Sequence, residues 1–149
     1  MEWVNIRKLV THIKKEMEPD FIASKATLSL HCDEIDSFHS IKIHLHSILY
    51  QLISNAIKFR AKGRPLIIEI ATFKDDTGVG FIVKDNGMGI DLTQFKDKIF
   101  KLYERFHLDI EGKGLGLYMV YTLAKQINGN IQVTSEPGAG TAFTVTIFE

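Results

Sequence analysis

The stretch Val79-Gly80-Phe81-Ile82-Val83-Lys84-Asp85-Asn86-Gly87-Met88-Gly89-Ile90 decides the fold. Its first half is apolar and β-branched, and it reads as a strand over 79–84. It ends on an acidic residue and passes at once into a glycine-rich loop. Strand alternation puts Asp85 on the same face as Val79, Phe81 and Val83. A carboxylate on an apolar face needs a donor, because its desolvation is otherwise uncompensated. Two readings follow: an Asx-turn that caps the loop, or a hydrogen bond to a ligand amino group such as that of adenine.

Working outward, Leu66 to Phe73 reads as the partner strand, joined through the turn Asp75-Asp76-Thr77-Gly78. Upstream, Ile41, Leu45, Ile48, Leu49, Leu52, Ile53 and Ala56 recur at helical spacing, which predicts a long helix from a Ser40 cap to about Arg60. Thr27 to Cys32 alternates as a strand. Ile6, Leu9, Val10, Ile13 and Met17 predict a helix capped by Asn5 and stopped by Pro19. Downstream, Asp91 to Phe100 reads as a short helix, and Gly112 to Gly116 opens another over Leu117–Gln126. The chain closes on a hairpin, 131–136 and 141–148, around Pro137-Gly138-Ala139-Gly140. The order α β α β β α α β β predicts a two-layer α/β sandwich (α+β), with helices on one face of a mixed sheet.

Composition narrows the function classes. The 149 residues carry 18 Lys+Arg against 18 Asp+Glu, and 45% are hydrophobic. One domain of that size buries about 70% of its unfolded-chain surface. Balanced charge removes the usual warrant for a nucleic-acid surface. Cys32 is the sole cysteine, so neither an intramolecular disulfide nor a multi-cysteine metal site is available. No apolar run approaches the ~20 residues that span a bilayer.

The chemistry-bearing residues cluster around glycines: Gly87/Gly89, Gly112/Gly114/Gly116 and Gly138/Gly140. Glycine lets backbone N–H groups approach a ligand, and a helix N-terminus attracts phosphate. The hairpin turn accounts for Gly138/Gly140. Gly112-Lys113-Gly114-Leu115-Gly116 before a helix is harder to explain as a turn alone. No G-x-x-x-x-G-K-[ST] occurs, and no G-x-G-x-x-G follows a strand. On the long helix, Gln51, Asn55 and Lys58 share one edge. An amide oxygen there suits Mg²⁺, though a solvated polar edge is equally served by these residues. The six histidines read as single structural or surface residues, since His44 and His46 point to different faces and no H-E-x-x-H is present.

Together these segments resemble the ATP-binding catalytic domain of sensor histidine kinases, within the gyrase, heat-shock chaperone and mismatch-repair ATPase superfamily. Leu52-Ile53-Ser54-Asn55-Ala56-Ile57-Lys58-Phe59 is similar to the N box, and Asp85-Asn86-Gly87-Met88-Gly89-Ile90 to the first glycine box. Phe100-Lys101-Leu102-Tyr103-Glu104-Arg105-Phe106 is similar to the F box, Gly112 to Leu117 to the second glycine box, and Gly138 to Phe143 to the closing strand-turn signature. The resemblance runs from about residue 5 to 148 and implies a Bergerat-type fold. It implies that Asp85, Gly87, Gly89, Ile90 and Thr141 surround adenine and that Asn55 binds Mg²⁺. It further implies that Gln51, Lys58, Gly112, Lys113, Gly114, Leu115 and Gly116 lie along the phosphates. Phe100, Tyr103, Arg105 and Phe106 then flank a mobile ATP lid.

The chain departs from the family pattern at Gln51, where kinases usually carry Asn and hydrolytic relatives carry a Glu base. It also departs at Tyr103, at Lys113 and in the short lid of residues 107–111. No histidine is followed by the acidic residue typical of a phosphoacceptor: the followers are Ile13, Cys32, Ser40, Leu45, Ser47 and Leu108. The resemblance therefore implies a catalytic half, residues 1–149, with its dimerisation and sensor domains elsewhere in a larger homodimeric protein. ATP and Mg²⁺ are the implied ligands, and a response-regulator receiver domain is the implied downstream partner. A cytoplasmic setting is implied, within a protein that can be membrane-anchored.

Overall fold

The computed structural model describes residues 1–95, 99–100 and 116–148. The chain order is β1 (Glu2–Asn5), α1 (Ile6–Glu16), α2 (Glu18–Ser24), β2 (Thr27–His31), β3 (Ser37–Ser40) and α3 (Lys42–Lys58). It continues with β4 (Ile67–Lys74), β5 (Gly78–Asp85), α4 (Leu92–Phe95), α5 (Gly116–Gln126), β6 (Gly129–Glu136) and β7 (Gly140–Phe148). Five strands form one mixed sheet in the order β2-β4-β5-β7-β6, with β2 parallel to β4 and every other pairing antiparallel.

One face of this sheet carries the core. Ile68 and Ile70 of β4, Phe81 and Val83 of β5 and Phe143 and Val145 of β7 are all buried. Leu45, Ile48, Leu49, Leu52 and Ile53 of α3 and Val120 of α5 belong to the same apolar cluster. The alternate residues Glu69, Lys84 and Gln132 are exposed, the one-in, one-out pattern of a sheet covered on a single face. The two-layer sandwich expected from the sequence is the one observed.

Asn5 caps α1 as expected, its Oδ1 accepting the Lys8 N–H at 2.9 Å. Three local expectations differ from the structure. Pro19 does not end helical structure; it occupies the first turn of α2, where its missing N–H has no intrahelical partner to lose. Ser40 does not cap α3: it pairs with Glu2 across a small antiparallel β1–β3 sheet, and the cap position falls to Ile41 without a side-chain bond. Ser40's backbone is committed to that ladder, one residue before the cap position. Of the helix expected over 91–100, α4 covers Leu92–Phe95, while Ile99 and Phe100 lie in a turn.

Candidate functional site

The β5–β7 register builds the base of a cleft. Asp85 at the end of β5 faces Thr141 near the start of β7. Asp85 Oδ1 accepts the Gly87 N–H at 2.8 Å and the Thr141 N–H at 3.3 Å. The Asx-type turn is the observed arrangement: Oδ1 holds the loop, and Oδ2 takes no hydrogen bond from any described residue. Burial raises the Asp85 carboxyl above its ordinary range, and the two backbone donors pull the other way without cancelling it.

Around that carboxylate the backbone is tightly specified. Gly89 has φ +75°, and a Cβ there would lie 2.1 Å from the Glu136 carbonyl oxygen. Only glycine meets both conditions without displacing main chain. The Phe59 carbonyl, at the end of α3, accepts the Met88 N–H at 2.9 Å, and the Met88 carbonyl accepts the Gly138 N–H at 2.7 Å. Ser135 Oγ accepts the Ile90 N–H at 2.8 Å and donates to the Gly140 carbonyl at 2.7 Å. Its single proton is thereby spent, so in the 2.9 Å contact between the two hydroxyls Thr141 is the donor. The Thr141 lone pairs stay available to a ligand.

The sequence reading missed Arg64, and the structure gives it a central place. Its guanidinium donates to the carbonyls of Asn86 at 2.8 Å, Gly87 at 2.9 Å and Gly138 at 2.8 Å. It ties the glycine loop to the closing hairpin. Ser135 was missed as well. Neither lies within a glycine cluster, and their partners are as many as 74 residues away for Arg64 and 45 for Ser135.

The other wall comes from α3 and α5. Gln51 Nε2 donates to Asn55 Oδ1 at 3.2 Å, one helical turn on. A Cβ on Gly116, the first residue of α5, would lie 2.2 Å from Gln51 Nε2. The Gln51 amide therefore sits where α3 meets the start of α5. Asn55 Oδ1 spends one lone pair on Gln51 and keeps a second, which fits a single amide-oxygen ligand to a Mg²⁺ that retains waters. Lys58 is exposed, with Nζ 5.5 Å from the centroid of the Phe59 ring.

Asn55, Phe59, Asp85, Gly89, Ile90, Leu117, Thr141 and Phe143 line one small cleft, so the structure brings the expected adenine and magnesium residues together. Gly87 borders it through Asp85. The cleft holds about 20 Å³, room for one water, so a purine needs Phe59, Leu117 and Phe143 to part. Phe100 packs on Phe143 and Tyr121, with ring centroids 6.4 and 6.0 Å apart. Tyr103, Arg105, Phe106, the lid, Gly112, Lys113, Gly114 and Leu115 lie outside the described residues.

The family model for the histidine kinase-, DNA gyrase B- and HSP90-like ATPases matches residues 40–149, and the chain belongs to that family. The chain is 32% identical to the histidine protein kinase SaeS of Staphylococcus aureus, over 98% of this chain and 43% of SaeS. It thus spans less than half the length of these relatives. Among solved structures, the nucleotide-free catalytic domain of histidine kinase ThkA superposes with TM-score 0.80 at 23% identity, covering 99% of this chain and 98% of that one. Acinetobacter baumannii histidine kinase AdeS gives TM-score 0.80 at 22% identity, over 99% of this chain and 66% of that one. Full-length ShkA, solved with AMPPNP, gives 0.81 at 26% identity over 97% of this chain and 30% of its own. Among the described residues no helix is long and apolar enough to cross a membrane.

Proposed function

We propose that this chain is the catalytic half of a two-component sensor histidine kinase. It binds ATP with Mg²⁺ and presents the γ-phosphate to a histidine on a separate dimerisation domain, for onward transfer to a response-regulator receiver domain. The observation that carries this is Asp85, held by two backbone donors on Oδ1 with Oδ2 left for an amino group. Thr141 Oγ1 adds an acceptor beside it. Gly87, Gly89 and Ile90 set the loop against the base. Gly116 and, by resemblance, Gly112, Lys113, Gly114 and Leu115 offer N–H groups to the phosphates, with Lys58 in reach of them.

Asn55 would hold Mg²⁺, which when bound screens the phosphate charge. The acceptor imidazole nitrogen attacks phosphorus, and the P–O bond to ADP breaks with its electrons leaving on ADP. No described residue supplies a base for water at the position where hydrolytic relatives carry Glu. Gln51 is there instead, and its amide cannot take a proton at neutral pH. This favours phosphotransfer over hydrolysis.

The test has two arms. Asp85→Asn replaces an acceptor with a group that can present a donor to the base. It should weaken ADP binding by calorimetry about ten- to a hundredfold, ~1.5–3 kcal/mol. Unchanged affinity removes Asp85 from the adenine site. In the second arm, labelled ATP with a dimerisation domain added in trans should label that domain's histidine. Self-labelling or steady hydrolysis by the isolated chain returns the hydrolytic reading to first place.

A further inference from the structure

The histidines are not all isolated, as the sequence spacing implied. His12 and Glu16 stand one turn apart on α1, and His46 reaches them from α3. Their ligand atoms lie within 4.8 Å of one another. His46 Nε2 is 2.6 Å from Glu16 Oε1, and His12 Nε2 is 3.5 Å from the same oxygen. The ring centroids of His12 and His46 are 6.2 Å apart. The linear sequence hides this group because its members come from two helices.

We propose that His12, Glu16 and His46 form a divalent transition-metal site of the zinc class that clips α1 to α3, away from the nucleotide cleft. Two imidazoles and a carboxylate are a donor set that zinc favours, and three protein ligands leave a fourth position for water. Zinc–ligand bonds of about 2.0–2.1 Å place tetrahedral donors about 3.3–3.4 Å apart. The His12–Glu16 separation of 3.5 Å already meets this. The His46–Glu16 contact must open from its present hydrogen-bonded 2.6 Å, a shift of about 0.7 Å. The two imidazole nitrogens are no more than 4.8 Å apart.

The site is partly prepared. His46 is the least exposed member, with 29% of its side-chain surface open, and its ring stacks on Tyr50 at 5.9 Å. His12 is 66% open, so the fourth position meets solvent at the cleft bounded by Trp3 and Ile43. Coordination through Nε2 needs that nitrogen unprotonated, so metal and proton compete and acidification weakens binding.

Cobalt(II) titration of the whole chain tests the site. The expected result is the intense visible spectrum of four-coordinate cobalt, bleached by one equivalent of zinc. His12→Ala and His46→Ala should each weaken zinc binding about tenfold or more, since loss of even an outer-shell partner costs that much. Glu16→Gln should weaken it in the same direction. His31→Ala, at an exposed histidine off both helices, should change nothing. ADP affinity should stay at the wild-type value in all four, which separates this site from the nucleotide cleft. A pale six-coordinate cobalt spectrum, or equal zinc affinity in wild type and both histidine variants, overturns the proposal. It reduces the group to a surface ion pair.

Discussion

The two walls of the cleft are built by different means. At the β5–β7 wall, main-chain and Ser135, Thr141 and Arg64 bonds converge on the loop 86–90 and the turn 137–140. At the α3–α5 wall, the described polar contact is one amide–amide bond of 3.2 Å from Gln51 to Asn55, beside a glycine. The frame of the β5–β7 wall is thus held by many bonds, whereas the described part of the α3–α5 wall is held by one side-chain bond.

Asp85 offers the largest effect with which to break this contrast. Its carboxyl is raised by burial, so the folded state takes up a proton more readily than the unfolded chain does. The ionised group therefore costs stability, fully so above the folded value. That cost is relieved as pH falls through the folded value toward the unfolded one. The proposed adenine recognition needs the ionised form and moves the other way. On acidification, ADP affinity should fall by up to the ten- to hundredfold expected of Asp85→Asn. Over the same range this group's contribution to stability should rise. Calorimetry and thermal melts across pH, with Asp85→Asn as the reference, check both signs. Parallel falls, equal in the variant, would place the titrating group elsewhere.

Gly89→Ala comes next. It forces a side chain into φ +75° and its Cβ to 2.1 Å from the Glu136 carbonyl oxygen. A cost of ~1–3 kcal/mol in urea unfolding is expected. Nucleotide binding should suffer too, because the neighbouring loop must shift. Wild-type stability in this variant would show that the loop adapts, and the rigid half of the contrast would go.

Asp85 and Gly89 are both legible in the amino-acid sequence, and the reason is local. A glycine between a strand and a loop, and an acid on an apolar strand face, declare their constraints to residues beside them. The element pattern is legible for the same reason wherever a period runs long enough, as in α3 and in β4 to β7. It fails where length or distance hides the cause. β1 and β3 have four residues each, too short to show alternation, so Ser40 reads as a cap. Pro19 marks a boundary in either reading, and only packing of Phe21 into the core reveals a second helix beyond it. Arg64, Ser135 and the meeting of His12 with His46 depend on tertiary approach, which no local spacing encodes.

Arg64→Met sharpens the contrast at moderate size. It keeps most of the apolar stem and removes three bonds from a charged donor to loop carbonyls. Those groups are partly open to water, so the net loss should be ~1–2 kcal/mol in chemical unfolding. Hydrogen exchange should rise at Met88 and Gly138, whose amides bond Phe59 and Met88 across the same junction. Unaltered exchange there would mean that the backbone bonds alone hold the loop.

Gln51→Ala should have the smallest effect and tests the adjustable half. The bond it removes is neutral, part-buried and 3.2 Å long, so stability should fall by no more than about 1 kcal/mol. Deleting a donor from Asn55 Oδ1 leaves both of its lone pairs open, one more than a metal ligand needs. The magnesium-dependent part of ATP binding should hold or tighten slightly, while binding without magnesium stays as in wild type. Asn55→Ala should lose the magnesium-dependent part and leave ligand-free melting close to wild type. The pair separates two roles for the amide edge. If Gln51→Ala loses the magnesium increment as fully as Asn55→Ala does, Gln51 is itself a positioning group for the metal and the phosphate wall is as specified as the adenine wall. If instead both variants melt far below wild type without ligand, the edge is structural and Asn55 is not the metal's ligand.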